Sequence, residues 1–372
     1  MKPLVLVTGG AGFIGSYIVE LLLERGYPVR VYDKLVEQVH GSTGPKYVPE
    51  EVEFVQGDMR DVDTLRRALD GVQLIIHDAA EVGVGQSMYE IVRYVDANTG
   101  GTAVLLELLA NEPHQVEKIV VASSMSIYGE GTYFCDSDGE VYPTMRPEEQ
   151  LARYEWETRC PKCERPLSPL PTPEDKPLLP TSIYAISKMD QELMCLAVGQ
   201  AYDIAVVALR YFNTYGPRQA LSNPYTGVAA IFSSRLLNGR PPVVFEDGHQ
   251  TRDFIHVTDV ARTNILALES GRANGQVLNV GTGRRTTVLE VARVLAELLG
   301  VDIEPEVVGK YRAGDIRHCY ADISRAQELL GFEANVGFED GMGELVEWVR
   351  EQAAVDHIDL ARAELEQRGL AR

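Results

Sequence analysis

The sequence has few cysteines, a deficit of basic residues and no long apolar run. Five cysteines in 372 residues are an odd number, which is typical of a reduced protein and not of a disulfide framework. The 35 basic residues face 55 acidic ones, and a net charge of -20 argues against binding nucleic acid or an anionic membrane. No run approaches the ~20 apolar residues of a membrane span, and no signal peptide precedes the first strand. We therefore expect a cytoplasmic protein.

The first 33 residues carry the pattern of a dinucleotide-binding unit. An apolar run at residues 4–7 leads into a glycine-rich turn, a helix follows, and a second strand ends on Asp33. Gly9 permits the tight turn, Gly12 lets backbone N–H groups approach a pyrophosphate, and Gly15 lets the helix pack closely. Asp33 favours NAD over NADP, because its carboxylate accepts from ribose hydroxyls and repels a 2′-phosphate. The residues of this unit that we expect to bind NAD are Gly9, Gly12, Phe13, Ile14, Gly15 and Asp33.

Strands and helices continue to alternate after this unit, with a lapse over residues 130–180, and predict an α/β Rossmann domain over residues 1–216 with a doubly wound parallel sheet. Such sheets bind ligands at the carboxyl ends of their strands. Asp58 follows the third strand, where it could accept from an adenine amino group or cap the next helix. We expect His77 to be a packing residue at a strand end. The further residues expected to contact NAD are Asp58, Met59, Ala79, Ala80, Asn98 and Tyr211.

A change in composition divides the chain. Proline and acidic residues dominate residues 130–180, which we interpret as an insertion in the NAD-binding domain. A smaller C-terminal α+β substrate domain is expected over residues 217–350, with strands near 254–257 and 278–281 returning to the Rossmann side. The charged residues 351–372 have the apolar spacing of a surface helix and carry no readable chemistry.

Tyr184 and Lys188 form the candidate catalytic pair, because a spacing of four places both on one face of a helix. A tyrosine with its ordinary pKa of about 10 is a poor base. An ammonium group one turn away favours the phenolate and lowers that pKa, and Lys188 can also hold the nicotinamide ribose. Ser124, which follows the fifth strand, is the natural third member of the site. If Tyr184 and Lys188 are considered without the other motifs, the alternative is that they are an ordinary pair of neighbours on a helix with no catalytic role.

With these residues the sequence resembles the extended short-chain dehydrogenase/reductases and, within them, the nucleotide-sugar 4-epimerases, over about residues 4–350. Besides the glycine turn and Asp33, the motifs that carry the resemblance are residues 57–58, 123–129, 184–188, 210–213, 252–259, 279–281 and 312–315. The resemblance implies that Ser124, Tyr184 and Lys188 are catalytic. It also implies a nucleotide-sugar substrate, whose contacts it assigns to Ser124, Ser126, Asn213, Arg252, Arg312 and Asp315. A surface ion pair with Asp253 is the alternative for Arg252.

The two residues after the catalytic serine distinguish reactions within this family. Sugar 4,6-dehydratases carry an Asp-Glu pair where this chain has Met125 and Ser126, and UDP-glucuronate decarboxylases carry a Glu at the second position. A thioether and a hydroxyl cannot do acid–base work as a pair, so the resemblance implies epimerisation at C4. In that reaction Tyr184 takes the C4 hydroxyl proton while C4 passes hydride to NAD⁺. The 4-keto sugar then rotates about its diphosphate, and NADH returns the hydride to the opposite face of C4.

The insertion contains a Cys-x-x-Cys pair, Cys160 and Cys163, which is half of a zinc knuckle. Cys135 and Asp138 have the spacing to offer the other two ligands. We therefore expect either a structural zinc ion held by these four residues or a proline-rich loop with free thiols.

The sugar is indicated by resemblance alone. The Cys-x-x-Cys insertion and residues 38–41 look most like the dTDP-L-rhamnose 4-epimerase group, but epimerases of UDP-hexoses, UDP-hexuronates and UDP-N-acetylhexosamines share the other motifs. A pocket from about residues 215–250 should recognise base and sugar. The competing functions are a 4-ketosugar reductase and an NAD-sensing scaffold, the second disfavoured by the intact catalytic residues. The four-helix bundle of the family, built from the helices that begin near Asn98 and Tyr184, implies a homodimer.

Overall fold

The computed structural model describes residues 2–41, 44–221, 223, 227–352 and 358–372. Its strands, in chain order, are β1 Val5–Thr8, β2 Val29–Asp33, β3 Glu53–Gln56, β4 Leu74–His77, β5 Lys118–Ser124, β6 Thr132–Cys135, β7 Gly139–Val141, β8 Ser168–Leu170, β9 Ala205–Tyr211, β10 Asn213–Tyr215, β11 Val243–Val244, β12 Thr251–Arg252, β13 Phe254–His256, β14 Gln276–Val280, β15 Thr286–Thr287, β16 Glu306–Val307 and β17 His318–Cys319. Its helices are α1 Phe13–Glu24, α2 Glu37–His40, α3 Val62–Ala68, α4 Val84–Ser87, α5 Ile91–Tyr94, α6 Gly101–Asn111, α7 Glu148–Leu151, α8 Ile183–Tyr202, α9 Val228–Leu237, α10 Val257–Glu269, α11 Val288–Leu299, α12 Ser324–Leu330, α13 Phe338–Arg350 and α14 Ile358–Gln367. A π-helical turn, Val95–Gly100, leads into α6.

One large parallel sheet contains seven strands in the order β3–β2–β1–β4–β5–β9–β14. β1 pairs with β2 on one side and with β4 on the other, so the direction of winding reverses at β1. This order is that of a doubly wound α/β sheet, and the predicted fold class is confirmed. Ligands of such sheets bind outside the carboxyl ends of the strands where the winding reverses.

Both faces of the large sheet are covered by helices. Val5 and Val7 of β1 pack with Ile18 of α1 on one face, which α10 also covers. Leu6 points to the opposite face, where it shares a core with Leu105 of α6 and with residues of α3 and α8. Because both faces are buried, the strands are nearly continuous apolar runs, which made them recognisable from sequence.

The C-terminal part of the chain forms a second core, in which α9, α11 and α13 surround Phe254 and Phe338. Of the two strands expected to return to the Rossmann side, β14 is an edge strand of the large sheet beside β9. β13 pairs with β10 in a separate two-stranded ribbon. Among the helices of the described residues, none has the length and apolar character needed to cross a membrane.

The insertion forms a small antiparallel sheet in which β6 lies between β7 and β8. The sequence did not indicate these strands, because the alternation of strand and helix patterns lapses in the insertion. Each of these strands has only three or four residues, which is too short for a periodic pattern to reveal.

Within the C-terminal tail, residues 353–357 lie outside the described residues, and α14 follows them. Beyond α14, Leu370 and Arg372 share backbone hydrogen bonds with Ala313 and Tyr311. The tail therefore lies beside the segment that carries Arg312, a contact that its sequence did not indicate.

Candidate active site

A cavity of about 470 Å³ opens at the carboxyl ends of β1, β2, β4, β5 and β9. This volume is within the range of small-molecule and cofactor sites. Most residues that we expected to bind cofactor or substrate line it, namely Gly9, Gly12, Phe13, Ile14, Asp33, Asp58, Met59, Ala79, Ala80, Ser124, Ser126, Tyr184, Lys188, Tyr211 and Asn213.

The turn between β1 and α1 has the shape that a bound pyrophosphate requires. Gly9 has a φ of +73°, and a Cβ there would lie 2.8 Å from the backbone nitrogen of Ala79. A Cβ at Gly15 would overlap the carbonyl oxygen of Gly9, so the helix reaches the turn only because residue 15 is glycine. The N-cap of α1, Gly12, has no side chain to bond the first N–H groups. These groups and the positive end of the helix dipole suit an anion.

Asp33 closes one end of the cavity at the end of β2. Its carboxylate accepts hydrogen bonds from the backbone N–H groups of Ala11 (3.1 Å) and Leu35 (2.8 Å). The carboxylate is thereby held against the glycine turn, where a ribose of a dinucleotide would lie.

Asp58 follows β3 and pairs with two cations. It accepts from Arg60 at 2.6 Å and lies 3.0 Å from the Lys34 ammonium, and the hydrogen bonds with Arg60 in particular hold its pKa well below the usual range. The N-cap of α3 is Asp61, which accepts from the N–H of Thr64. The capping alternative for Asp58 was therefore wrong.

Ser124, Tyr184 and Lys188 meet in one cavity although they come from two elements. Ser124 ends β5, and its Oγ accepts from the backbone N–H (3.2 Å) and the hydroxyl (2.9 Å) of Ser126, which leaves its own proton free to donate. α8 places Tyr184 and Lys188 one turn apart. The neighbouring Ser123 donates to buried Glu192 at 2.6 Å instead. Of the two adjacent serines, Ser124 is thus the one available to a ligand.

Burial governs the ionisation of the catalytic pair. It raises the pKa of Tyr184 to about 12, against a hydrogen bond from Ser124 that acts in the opposite direction. It also lowers the pKa of Lys188 to about 8, opposed by the nearby carboxylate of Asp78. We expected Lys188 to lower the pKa of Tyr184. That pKa lies above the ordinary value instead, because the cost of burying a phenolate outweighs the hydrogen bond from Ser124.

A buried hydrogen-bond network holds Lys188 in place. Its ammonium donates to Gln191 Oε1 at 2.8 Å, and Gln191 Nε2 donates to Thr102 Oγ1, also at 2.8 Å. The ring of His77 bridges Thr102 (2.9 Å) and Thr8 (2.7 Å), which ties α6, and through Gln191 also α8, to β1 and β4. Burial lowers the pKa of His77 to about 3, so the ring is neutral. His77 is a structural residue, as we expected.

Among the predicted residues, Gly15, Asn98, Arg252, Arg312 and Asp315 do not line the cavity. Gly15 lies behind the turn. Asn98 accepts from the backbone N–H of Glu81 at 2.7 Å and donates to Ser187 Oγ at 2.9 Å. Asn98 thus joins the cavity wall at Glu81 to α8.

Arg252 belongs to a separate group on the C-terminal side. Its guanidinium donates to the carbonyl oxygens of Ile316 (2.7 Å) and Arg317 (3.0 Å). The carboxylate of Asp253 accepts instead from the backbone N–H groups of Thr282 and Gly283, so the predicted alternative of an Arg252–Asp253 ion pair was wrong.

Arg312 and Asp315 form an ion pair at 2.7 Å within the same group. We call residues 312–317 together with Arg252 the substrate arm. Both predicted diphosphate arginines therefore contact residues on the C-terminal side of the chain, and neither lines the cavity.

Sequence reasoning missed several cavity residues, among them Asp78, Gln219 and Asn223. Asp78 directly follows β4, and this position at a central strand end was the available signal. Burial raises its pKa to about 7. Gln219 and Asn223 belong to residues 215–250, the stretch that we expected to recognise base and sugar, but no sequence feature singled them out within it. Residues 222 and 224–226, which belong to the stretch expected to recognise the sugar, lie outside the described residues.

The second group of candidate ligands lies in the insertion. Cys135 ends β6, Asp138 lies in the turn to β7, and Cys160 and Cys163 flank a second turn. One ligand atom from each residue lies within 4.8 Å of the other three. Cys135 Sγ is 3.4 Å from Cys163 Sγ, and Cys160 Sγ is 3.3 Å from Asp138 Oδ2. The structure thus brings together the four residues predicted as zinc ligands.

Comparison with known proteins identifies the family. A family model described as the NAD dependent epimerase/dehydratase family matches residues 5–153 and 162–281. This chain belongs to that family. The predicted resemblance is confirmed, and NAD is the cofactor on which the family depends.

Similar members of the epimerase/dehydratase family act on different nucleotide sugars. The dTDP-L-rhamnose 4-epimerase of Burkholderia thailandensis is 35% identical over 352 residues, which cover 94% of this chain and 95% of that protein. The structure of UDP-glucose 4-epimerase from Thermus thermophilus in complex with NAD has 34% identity and a TM-score of 0.73, and the match covers 94% of this chain and 100% of that one. UDP-N-acetylglucosamine 4-epimerase from Methanobrevibacter ruminantium, in complex with UDP-N-acetylmuramic acid, has 31% identity and a TM-score of 0.76, with coverage of 95% and 100%.

Proposed function

We propose that the protein is an NAD-dependent nucleotide-sugar 4-epimerase, which inverts C4 of a nucleoside-diphosphate hexose through a transient 4-keto sugar. The composition of the cavity carries this proposal. Ser124, Tyr184 and Lys188 share the cavity with the glycine turn, and neither Met125 nor Ser126 supplies the carboxyl group that a dehydratase or decarboxylase needs there. The 4-epimerases among the similar proteins support it.

The residues of the cavity fit NAD. The glycine turn offers N–H groups to a pyrophosphate, and Asp33 offers a carboxylate to the adenosine ribose. Asp58 and Met59 would lie beside the adenine, whereas Lys188 would hold the nicotinamide ribose. When bound, NAD supplies the hydride acceptor and donor.

Ser124 and Tyr184 are the side chains that act on the proton of the C4 hydroxyl. A sugar C4 oxygen placed between the Ser124 and Tyr184 hydroxyls would accept a hydrogen bond from the serine and exchange its proton with the tyrosine. The pKa of about 8 leaves Lys188 mostly charged at neutral pH, and its charge favours the tyrosinate that removes the proton.

For the sugar we propose dTDP-L-rhamnose as the first candidate, with UDP-glucose, UDP-glucuronate and UDP-N-acetylglucosamine as alternatives. The most direct support is the Burkholderia relative. The segment that resembles the rhamnose group also lies at the site, since Val39 and His40 line the cavity. Gln38 donates to Asn223 Oδ1, another cavity residue, at 3.0 Å.

We propose that Asn213 and the substrate arm hold the sugar diphosphate. Asn213 lines the cavity, and its Oδ1 is buried without a hydrogen-bond partner, which suits a ligand donor. Arg252 and Arg312 supply local positive charge in a protein whose net charge is -20.

We propose that the enzyme is a cytoplasmic homodimer. Exposed apolar side chains lie on α8 and on α5, which leads through the π-helical turn into the helix that the family resemblance assigns, together with α8, to a four-helix bundle. Val92 of α5 is 71% exposed and Leu193 of α8 is 48% exposed, and α8 packs against α5. The five cysteines are all free thiols, as in a reduced compartment.

We further propose that the insertion binds a structural zinc ion through Cys135, Asp138, Cys160 and Cys163. Four donors with three sulfurs match a closed tetrahedral site. A tetrahedron with Zn–S bonds of about 2.3 Å separates its ligands by about 3.8 Å, and the ligand atoms here already lie within 4.8 Å of one another.

The substitution Tyr184→Phe tests the assignment of the base. We expect turnover to fall at least about 100-fold, because the proton carrier is lost, while bound NAD stays near the wild-type level because the phenol ring remains. Turnover would be followed by NMR and NAD by absorbance after denaturation. Near-normal turnover in this variant would contradict the mechanism.

A further inference from the structure

The two turns that carry the cysteine cluster have the same design. In each, the first and fourth residues provide ligands, and the next residue has a positive φ, +74° at Gly139 and +60° at Glu164. In the second turn, the N–H of Glu164 returns to the carbonyl of Cys160 at 2.9 Å. The insertion thus presents two matched ligand pairs to one point, an arrangement that we call the knuckle.

Few buried apolar side chains stabilise the fold of the knuckle. Its core consists of Tyr133, Cys135, Val141, Cys160 and Leu167, two of which are ligands in the proposed zinc site. A core of this size contributes little stability, and small units of this kind depend on a metal or a disulfide. The proposed ion would therefore supply much of the energy that orders the two turns.

Both chain segments that enter the knuckle, β6 and the residues before Cys160, lead to one polar network. Two residues before Cys135, the Tyr133 hydroxyl donates to Glu130 at 2.7 Å and accepts from the N–H of His318 at 3.2 Å. Three residues before Cys160, Glu157 accepts from the guanidinium of Arg317. The knuckle is thus bonded directly to residues 317 and 318.

Arg317 connects this network to the substrate arm. Its side chain is fully buried between Glu157, Glu246 and Asp247, and Arg146 joins Glu246 to the carbonyl oxygen of Asp315. The carbonyl oxygen of Arg317 itself accepts from Arg252. The pairs that Arg146 and Arg317 make with Glu246 are buried on both sides. Removing one partner of such a pair is costly, so loss of this network would displace the arm.

We infer that the zinc knuckle positions the substrate arm, so that loss of the ion weakens binding of the nucleoside diphosphate and leaves NAD in place. The inference rests on the proposed diphosphate role of Arg252 and Arg312. The NAD cavity is built from the large sheet and does not use the knuckle, which is why the two ligands should respond differently.

The test compares Cys163→Ser with Lys162→Ala, which changes an exposed residue of the same turn and keeps every ligand. Zinc would be measured by elemental analysis, NAD by absorbance, and the affinity for dTDP and for UDP by calorimetry. We expect one zinc per chain in the wild type and in Lys162→Ala. In Cys163→Ser we expect loss of zinc, retained NAD and affinity for the preferred nucleotide reduced about tenfold or more.

A second experiment tests the inference even if the Cys163→Ser variant fails to fold. Wild-type enzyme would be treated with a chelator and then resupplied with zinc, and nucleotide affinity should fall and return. Asp138→Cys should retain zinc and normal affinity. Wild type without zinc, or zinc-free protein with unchanged nucleotide affinity, would overturn the inference. None of these measurements requires turnover, so the results do not depend on which sugar the enzyme accepts. A failed epimerase assay would count against the proposed reaction and not against this inference.

Discussion

Single buried side chains decide the protonation states around the cavity. His77 is neutral, with its pKa lowered to about 3 by burial, and it is fixed between two threonine hydroxyls. Burial raises the pKa of Asp78 to about 7 and lowers that of Lys188 to about 8. The fold thus keeps His77 uncharged although Gln191 links it to Lys188, the lysine for which we propose a catalytic role.

The substitution His77→Gln should reduce the acid sensitivity of the protein. A base with a lowered folded pKa contributes stability that is complete above its unfolded pKa of 6.5 and is lost as pH falls towards the folded value. Wild type should therefore lose about 1.4 kcal/mol per pH unit below pH 6.5 from this group. Glutamine cannot be protonated in this pH range, so the stability of the His77→Gln variant does not fall for this reason.

Urea denaturation of both proteins at pH 7.5 and pH 5 would measure this effect. The stability advantage of the wild type over the variant should shrink by about 2 kcal/mol at the lower pH. The raised pKa of Asp78 has the opposite effect, because its contribution to stability grows as pH falls from about 7 to 3.8. Asp78 is present in both proteins, so this contribution cancels in the comparison. An unchanged difference would mean that His77 is already protonated in the folded protein.

Sequence reasoning located individual residues well where the topology of the sheet sets their place. Gly9, Ser124 and Tyr211 could be assigned to one cavity because each follows or ends a parallel strand. The partners of long side chains could not be predicted. Arg252 bonds carbonyl groups some 60 residues away in the chain, and such contacts depend on how separate elements pack.

At the scale of elements, the contact between α1 and the glycine turn forms the end of the cavity at which we propose that the pyrophosphate binds. The helix starts so close to the turn that residue 15 has no room for a Cβ. This closeness brings the first N–H groups of α1 to the cavity. The strand–turn–helix unit was predictable because its glycines, its apolar runs and its terminal acid all follow one pattern.

Gly15→Ala should therefore reduce NAD binding and stability together. The added methyl group would overlap backbone of the turn, and we expect about 1–3 kcal/mol of destabilisation and loss of copurified NAD. Gly343→Ala is the matched control, because this helical glycine has open space around it and alanine there should stabilise by about 0.5–1 kcal/mol. Thermal melts and NAD content would be compared. Normal NAD content in Gly15→Ala would contradict the account of the turn.

Other elements were not accessible from sequence. The strands of the insertion are too short to show a period, and the π-helical turn before α6 has no recognised sequence pattern. The cysteine spacing nevertheless identified the four residues that the structure brings together. A pattern of ligands was more informative here than a pattern of hydrophobicity.

At the scale of the whole molecule, the exposed apolar surface of α5 and α8 is the feature that a single chain leaves unexplained. The sequence of α8 is apolar on most faces, which indicates burial in a core or against another subunit. The structure leaves Leu193 about half exposed. A second copy of the chain would cover it.

Leu193→Asp should convert the proposed dimer to a monomer, because it places a charge in an apolar interface. Val307→Asp is the control, since Val307 is equally exposed, at 47% against 48%, but lies on β16 in the C-terminal part. Light scattering should give twice the chain mass for wild type and control and the chain mass for Leu193→Asp. A monomeric wild type at working concentration would refute the dimer.

The central claim is that the enzyme oxidises and re-reduces the same carbon with a cofactor that stays bound. The most direct measurement is NMR of the reaction products from dTDP-L-rhamnose, UDP-glucose, UDP-glucuronate and UDP-N-acetylglucosamine, with no NAD or NADH added. The account predicts that one of these sugars approaches an equilibrium of two C4 epimers. If turnover occurs only when reduced cofactor is supplied with a 4-keto sugar, the protein is a reductase and the claim is wrong.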